Sequence, residues 1–205
     1  MKKLKLLGLC FGVSVLTFST GCQSTLKTAY RPSYTATYIH TKKLQVTLAN
    51  VSDKRSGKPA VYYQNSSNGD TGAFDRPVAD LVREAIAEEL KRAGLASASE
   101  AVPAATLNCE VLDLKATITQ PFWSSATLDL FVVLRFEWRD AKTNSLIEAN
   151  ERSERRSRKL GTNVPSLPFG ASVVQDFGNE MINDMLPRVI EKEFHLASVL
   201  RGENN

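Results

Sequence analysis

The sequence predicts an α+β domain, a two-layer sandwich in which two helices cover one face of a mostly antiparallel sheet of about four strands. Two stretches repeat apolar residues at three- and four-residue steps, as helices that cover a core do. Three other stretches alternate apolar and polar residues, which is typical of strands, and a polar stretch after a hairpin turn is predicted as a fourth strand. Their order along the chain is β-α-β-β-β-α, and packing both helices on one sheet face is the two-layer arrangement that fits this order.

The first strand is predicted from the alternation between Leu44 and Leu48, and a long polar loop follows it. The clearest helix comes next. Asp75 and Pro77 mark its start and Gly94 marks its end. Its apolar stripe contains Val78, Leu81, Val82, Ala85, Ile86, Ala87, Leu90 and Ala93.

Three more strands are predicted before the second helix. One alternates in one phase up to Val111 and in the opposite phase from Leu112, which predicts a β-bulge at this point. A polar strand runs from Leu146 to Ser157, and the second amphipathic helix contains Pro187, which should kink or divide it. The central strand is predicted from seven consecutive inward positions: Ala126, Leu128, Leu130, Val132, Leu134, Phe136 and Trp138.

Residues 1–21 resemble a bacterial lipoprotein signal peptide, and Cys22 is the expected site of lipid attachment. Lysines open the chain before a thirteen-residue apolar run that ends at Phe18, whereas a retained membrane-spanning helix needs about 18–20 residues. The segment from Ser19 to Cys22 resembles the lipobox, although Ser19 stands where that pattern prefers leucine. Ordinary signal cleavage and an unmodified Cys22 are the alternatives.

The lipobox resemblance implies palmitate-type acyl chains that anchor the mature chain in a membrane without spanning it. Gln23 follows the cysteine where lipoproteins retained in the inner membrane of enteric-type bacteria usually carry Asp. The resemblance therefore implies the cell outer membrane, with the domain facing the periplasm.

Three further segments complete the predicted organisation. Residues 22–42 are interpreted as the acylated cysteine and a flexible tether that spans roughly 25 Å. Residues 43–200 are interpreted as a single periplasmic domain, and residues 201–205 as a frayed tail. As an alternative to the tether, its regularly spaced tyrosines pack on the domain or lie at the lipid interface: Tyr30, Tyr34 and Tyr38.

Composition argues against several classes of function. The 205 residues are 42% apolar and 23% charged, which excludes a fibrous or wholly disordered chain. The formal net charge of +4 falls to +1 without the leader, because three lysines leave and 23 basic residues then face 22 acidic ones. No nucleic-acid partner is therefore inferred.

No catalytic, metal or cofactor site is predicted. The two histidines, His40 and His195, are far apart, and the cysteines lack the spacing of a metal site. Cys109 lies in an alternating apolar run and is expected to be a buried, inert thiol. Since no nucleophile and base occur in a recognisable motif, the protein is not expected to be an enzyme.

Two surface features are candidates for interaction. The first is a run of arginines on the polar strand, which is either a solvated edge that opposes aggregation or a strip that faces anions. The second is a group of apolar residues on the outer sheet face and in the turn before it, which either packs under the long loop or binds a partner. The candidate residues are Phe122, Trp123, Phe131, Val133, Arg152, Arg155, Arg156 and Arg158.

Four features follow one another in a characteristic order: the lipobox, a turn with Asp53 and Arg55, a helix that runs from Leu81 to Gly94, and the Ala105 to Val111 run. In this order they resemble the YajG-like uncharacterised bacterial lipoproteins. A looser similarity is to auxiliary lipoproteins of envelope machines. These resemblances imply no catalytic residues.

Two functions remain open from the sequence. The first is a membrane-anchored, non-catalytic accessory subunit that binds a protein partner in an assembly of the cell envelope. The second is a module that binds lipid, a peptidoglycan fragment or another small ligand in an apolar pocket. The oligomeric state does not follow from the sequence.

Overall fold

A computed structural model of the protein describes residues 24–34, 36–38, 44–56, 60–64, 70–97, 102–119, 125–160 and 171–201. The predicted α+β architecture is confirmed: an open mixed sheet carries helices on one face. Four strands form the predicted body, and three short strands that the sequence analysis did not predict extend it.

The strands are β1 (Ser24–Leu26), β2 (Val46–Asp53), β3 (Val61–Gln64), β4 (Asp70–Phe74), β5 (Ala105–Thr119), β6 (Thr127–Asp140) and β7 (Leu146–Lys159). The helices are α1 (Val78–Arg92), α2 (Ala171–Glu180), α3 (Leu186–Leu196) and α4 (Ser198–Arg201), with a π-helical turn (Met181–Met185) between α2 and α3. Strands β3 and β4 fall within the predicted polar loop, and β1 falls within the predicted tether.

Several predicted features lie outside the described residues. They are the signal peptide, Cys22, Gln23, His40, Phe122, Trp123 and residues 202–205 of the expected tail. Within the described ranges, no helix has the length and apolar character that crossing a bilayer requires.

The sheet is built around β5. Strands β5, β6 and β7 form an antiparallel meander. Strands β2 and β3 both lie parallel to β5 on its other side, β2 along its first half and β3 along its last four residues. Strands β4 and β1 follow beyond β3, so β1 and β7 form opposite edges of the sheet.

The predicted bulge and central strand are both confirmed. The register between β5 and β6 shifts between Val111 and Asp113, so Leu112 is the extra residue that exchanges the two faces of β5. All seven predicted inward positions from Ala126 to Trp138 are buried. They face the helix layer, where α1 packs on β2 and α3 packs on β6 and β7.

The helix boundaries follow from local chemistry. Pro77 caps the start of α1, and Gly94 follows its end with a φ of 67°, a left-handed conformation that glycine adopts without a Cβ penalty. The Pro187 prediction is also confirmed, because the π-helical turn divides α2 from α3 just before this proline.

The division at Pro187 creates a binding point for the N-terminal segment, residues 24–38. An α-helix would pair the Asn183 carbonyl with the N–H of residue 187, which proline lacks. The Ser33 N–H donates to this carbonyl instead, at 2.7 Å. The Arg31 N–H donates to the Oδ1 atom of Asn183 at 2.6 Å.

The described part of the N-terminal segment packs on the domain, where the sequence analysis expected a flexible tether. Leu26 and Tyr30 are buried, and burying a leucine side chain contributes about 1.5–3 kcal/mol. The hydroxyls of Tyr30 and Tyr38 each donate to the buried Glu89 of α1 at 2.5 Å. The Tyr34 hydroxyl donates to Glu191 of α3 at 2.7 Å.

Tyr30 and Tyr38 remain hydrogen-bond donors to Glu89. Burial, and then the hydrogen bond to Glu89, raises the pKa of Tyr30 and of Tyr38 well above the ordinary tyrosine range. The hydroxyls therefore stay protonated, and each can occupy one oxygen of the Glu89 carboxyl group.

Glu89→Ala should lower the free energy of unfolding by about 2–4 kcal/mol, because it removes the carboxyl group to which two largely buried hydroxyls donate. Amide hydrogen exchange in residues 27–38 should also become faster than in the parent chain. Urea denaturation and exchange measured by mass spectrometry check these two effects.

The neighbouring Glu88→Ala is the matched control. Glu88 lies on the exposed side of α1 and pairs with Lys91 and Arg92 at 3.5–4.0 Å, so its removal should change stability by no more than about 0.5 kcal/mol. Equal losses in the two variants would show that Glu89 does not hold the segment.

Candidate functional site

The four candidate arginines of β7 do not form one strip, because alternate residues of a strand point to opposite sheet faces. Arg152, Arg156 and Arg158 face the helix layer, where each pairs with an acidic residue. Arg155 lies on the outer face, and its side chain is 66% exposed. The predicted arginine cluster is thus divided between the two faces.

Arg152 belongs to a buried polar cluster around Glu193 of α3, which is fully buried. Trp138 Nε1 donates to Glu193 Oε1 at 2.6 Å, and Asn150 Nδ2 donates to the same oxygen at 3.1 Å. Arg152 Nε lies 2.8 Å from Glu193 Oε2, so the two groups form an ion pair. The angles at these two atoms do not meet those of a hydrogen bond. Burial raises the pKa of Glu193, although Trp138, Asn150 and Arg152 act in the opposite direction.

Arg156 and Arg158 bind the acidic side chains at the junction of α2 and the π-helical turn. Arg156 pairs with Asp184 and, at 3.3 Å, with Glu180. Arg158 pairs with Glu180 at 2.9 Å. These contacts join the edge strand to the helix layer, so both arginines stabilise the fold.

Among the described residues, no helix covers the outer face of the sheet along β6. The helices that the structure describes pack on the other face, and every outward residue of β6 is half-buried or exposed. Phe131 lies near the middle of this face, in register with Lys115 of β5 and Arg155 of β7. Both cations lie 5.0 Å from the centre of the Phe131 ring, a favourable cation–π distance.

Val133 lies next to Phe131 on this face, in register with Asp113 and Ser153. We name the five residues in and around this spot the outer patch: Lys115, Phe131, Val133, Ser153 and Arg155. The other two apolar candidates, Phe122 and Trp123, lie outside the described residues.

The charges of the outer face compensate one another. Lys115 pairs with Asp113, and Arg155 pairs with Asp129 at 3.2 Å. Arg135 lies 3.9 Å from Glu110 and 3.5 Å from Glu137. Because Lys115, Arg135 and Arg155 each have an acidic neighbour, the part of the face around Phe131 does not present the basic field that an anionic polymer would require.

Open grooves also occur on the surface of the described residues, including the following two. The larger, about 690 Å³, lies between the N-terminal segment and α1, and its walls include Tyr30, Arg31, Glu88 and Arg92. The smaller, about 230 Å³, lies beside Asp53, Arg55 and Phe74. Charged side chains line both grooves, whereas a binding module for apolar ligands requires an enclosed apolar pocket.

Within the described residues, the Cys109 thiol is enclosed in the core and the His195 imidazole contacts the N-terminal segment. Burial raises the pKa of the Cys109 thiol far above its ordinary range, so the thiol stays protonated. His195 is exposed, and its Nε2 atom donates to the Thr37 carbonyl at 2.9 Å. Across the described ranges, no group of three or more His, Cys, Asp or Glu side chains could hold a metal ion.

No protein-family model matches the sequence, and no curated protein resembles it at a significant level. Solved structures share features of the fold. A protein from Xanthomonas campestris, described as a member of family DUF330, aligns with a TM-score of 0.52 at 10% sequence identity, over 87% of this chain and 96% of its own. At this identity the likeness shows the fold alone.

Two other structures align more weakly. A protein from Caulobacter crescentus, described as a candidate lipoprotein, has a TM-score of 0.41 at 14% identity, over 71% of this chain and 92% of its own. A minor lipoprotein from Acinetobacter baumannii has a TM-score of 0.40 at 10% identity, over 75% of this chain and 94% of its own.

Arg155 and Arg156 lie on opposite faces of β7, so replacing them should lower stability by different amounts. Arg156→Gln should lower the free energy of unfolding by about 1–2 kcal/mol, since it removes a partly buried cation from a network of carboxylates. Arg155→Gln should cost less than about 0.5 kcal/mol, because Arg155 is mostly exposed. Urea denaturation of both variants checks this, and a cost for Arg155 as large as that for Arg156 would contradict the assignment.

Asp184→Asn should remove a pH-dependent part of the stability. Burial alone would raise the pKa of Asp184, but the hydrogen bonds from Arg156 and Arg188 outweigh it and hold the pKa below the ordinary value of 3.8. The contribution of Asp184 is therefore present above that value and is lost as the pH falls through the lowered pKa.

The measurement is the difference in unfolding free energy between the parent chain and Asp184→Asn, followed from neutral pH into the acid range. The parent should be the more stable at neutral pH, and the two curves should converge below pH 3.8. The exposed Asp176→Asn of α2 is the control and should change stability little at neutral pH. A constant difference at every pH would contradict the prediction.

Proposed function

We propose that this protein is a lipoprotein of the bacterial cell envelope, anchored through acyl chains on Cys22, whose domain serves as a non-catalytic accessory subunit. The lipobox-like segment before Cys22 supports the anchor, as does the resemblance of the motif order to YajG-like lipoproteins. By the lipobox resemblance, Gln23 favours the outer membrane and a domain that faces the periplasm.

The domain binds a folded protein of the envelope through the outer patch. The observation that carries this proposal is Phe131, an aromatic ring held between two cations on a sheet face that the described helices leave uncovered. Interfaces between separately folded proteins commonly have aromatic residues and arginine at their centre and a polar, hydrated rim around it. The outer patch has this composition.

The compensated charges favour a protein partner over lipid or nucleic acid. An anionic polymer is attracted by unpaired basic residues, whereas Lys115, Arg135 and Arg155 each lie beside an acid. A protein surface can exchange such ion pairs for its own, and it can cover Phe131 and Val133 at the same time.

Site-specific photocrosslinking in the native cells tests this function. A photoreactive residue at Ser153, exposed within the outer patch, should form a discrete crosslink to one envelope protein. The same residue at Ala87, exposed on the far side of α1, should not. The crosslink from Ser153 should disappear in Phe131→Ala, with the fold checked by circular dichroism.

The crosslinked protein, once purified, provides a quantitative test. Phe131→Ala should weaken its binding at least about tenfold, or about 1.4 kcal/mol, as loss of a central interface residue does. Thr106→Ala, at the far end of the same face, is the matched control and should bind as the parent does. Equal crosslinks from Ser153 and Ala87, or an unchanged affinity in Phe131→Ala, would exclude the outer patch.

A further inference from the structure

The N-terminal segment enters the domain as a strand. Strand β1 pairs in parallel with β4, with Ser24 opposite Gly72 and Leu26 opposite Phe74. The Asp75 N–H then donates to the Leu26 carbonyl at 3.0 Å. The first described residue is therefore already part of the sheet.

Helix α2 holds this strand from the other side. The Lys27 N–H donates to Gln175 Oε1 at 2.9 Å, and Gln175 Nε2 donates to the Lys27 carbonyl at 2.8 Å. Gly178 permits the close approach, because a Cβ at this position would lie 3.2 Å from a Leu26 methyl carbon. The segment thus has fixed contacts with both layers of the domain.

Strand register places Ser24 near one end of the sheet. Gly72 pairs with Val61, and Val61 pairs with Ala116, which lies three residues before the end of β5. At the same end, β6 begins at Thr127 and β7 finishes at Lys159, and these two residues pair directly.

The hairpin between β6 and β7 lies at the opposite end of the sheet. Strand β6 has 14 residues, and a strand rises about 3.3 Å per residue, so the two ends lie about 43 Å apart. Lys142 is exposed in this hairpin, and Lys159 is exposed at the end where Ser24 enters.

Cys22 precedes Ser24 by two residues, and two residues of extended chain span at most about 7 Å. We propose that the end of the sheet at which Thr119, Thr127 and Lys159 lie is directed toward the bilayer and that the strands stand up from it. This inference rests on the proposed lipid attachment at Cys22. The partner of this surface is the bilayer itself, since acyl chains on Cys22 insert within this short reach of β1.

The short connection is what fixes the orientation. A flexible tether of twenty residues would allow roughly 25 Å of separation and any face toward the membrane. Because the docked segment begins at Ser24, only Gln23 separates Cys22 from the sheet. The exposed Lys159 suits the orientation, because a cation close to anionic headgroups is stabilised.

Energy transfer from the lipidated full-length chain to labelled lipid tests the orientation. The chain is reconstituted in vesicles of phosphatidylethanolamine and phosphatidylglycerol that contain a lipid-borne acceptor. Single cysteines carry the donor dye in two matched variants, Lys159→Cys and Lys142→Cys. The parent chain measures background labelling, which should be small because Cys109 is 1% exposed.

Transfer should be strong from position 159, and at position 142 it should fall close to the level measured without acceptor. Equal transfer from the two positions, or stronger transfer from position 142, would overturn the orientation while leaving lipid attachment intact. Mass spectrometry that finds Cys22 unmodified would overturn the attachment and, with it, the orientation. The two failures are therefore distinguishable.

A second variant tests the cause. About twelve Gly and Ser residues inserted between Gln23 and Ser24 add a flexible span of about 20 Å. The difference in transfer between the two labelled positions should then shrink, although the domain itself is unchanged. An undiminished difference would show that the short connection does not orient the domain and would overturn the inference.

Discussion

Two carboxyl groups buried in the helix layer, Glu89 and Glu193, hold the parts of this domain together. A buried carboxyl group is costly unless donors surround it. Glu193 takes its donors from two neighbouring strands, through Trp138 on β6 and Asn150 on β7. Glu89 takes its donors from the N-terminal segment. Because α1 and α3 pack together, sheet, helices and segment satisfy one another's polar groups.

The alternation of β7 separates stabilisation from recognition. Its inward arginines pair with acids of the helix layer, so removing one would weaken the compensation of a partly buried charge. Its outward side chains are exposed, and Arg155 contacts Asp129 and Phe131 of the neighbouring strand. Arg155 and Phe131 therefore have room to exchange their present contacts for those of another protein without loss of the core.

Elements with a strong period could be predicted from the sequence, and elements without one could not. The α1 boundaries, the bulge at Leu112 and the buried side of β6 follow from apolar periodicity and from Pro77 and Gly94. Strands β1, β3 and β4 have three to five residues each, too few to establish a period. For the arginines, alternation separates Arg155 from Arg156, but only the acids at 180 and 184 show which one faces the helices. The four-residue spacing of Tyr30, Tyr34 and Tyr38 was the one sequence sign of the docked segment.

The two proposals constrain each other through the geometry of the sheet. If the end near Thr127 faces the bilayer, the outer face stands perpendicular to the membrane plane, and a partner reaches it from the side. Phe131 lies four residues along β6 from that end, or about 13 Å at the rise of a strand. A protein that covers the outer patch would then also come close to the same bilayer. The partner that best fits this arrangement is itself membrane-attached or has a domain held at the membrane surface, because a docked N-terminal segment leaves this domain little freedom to move away.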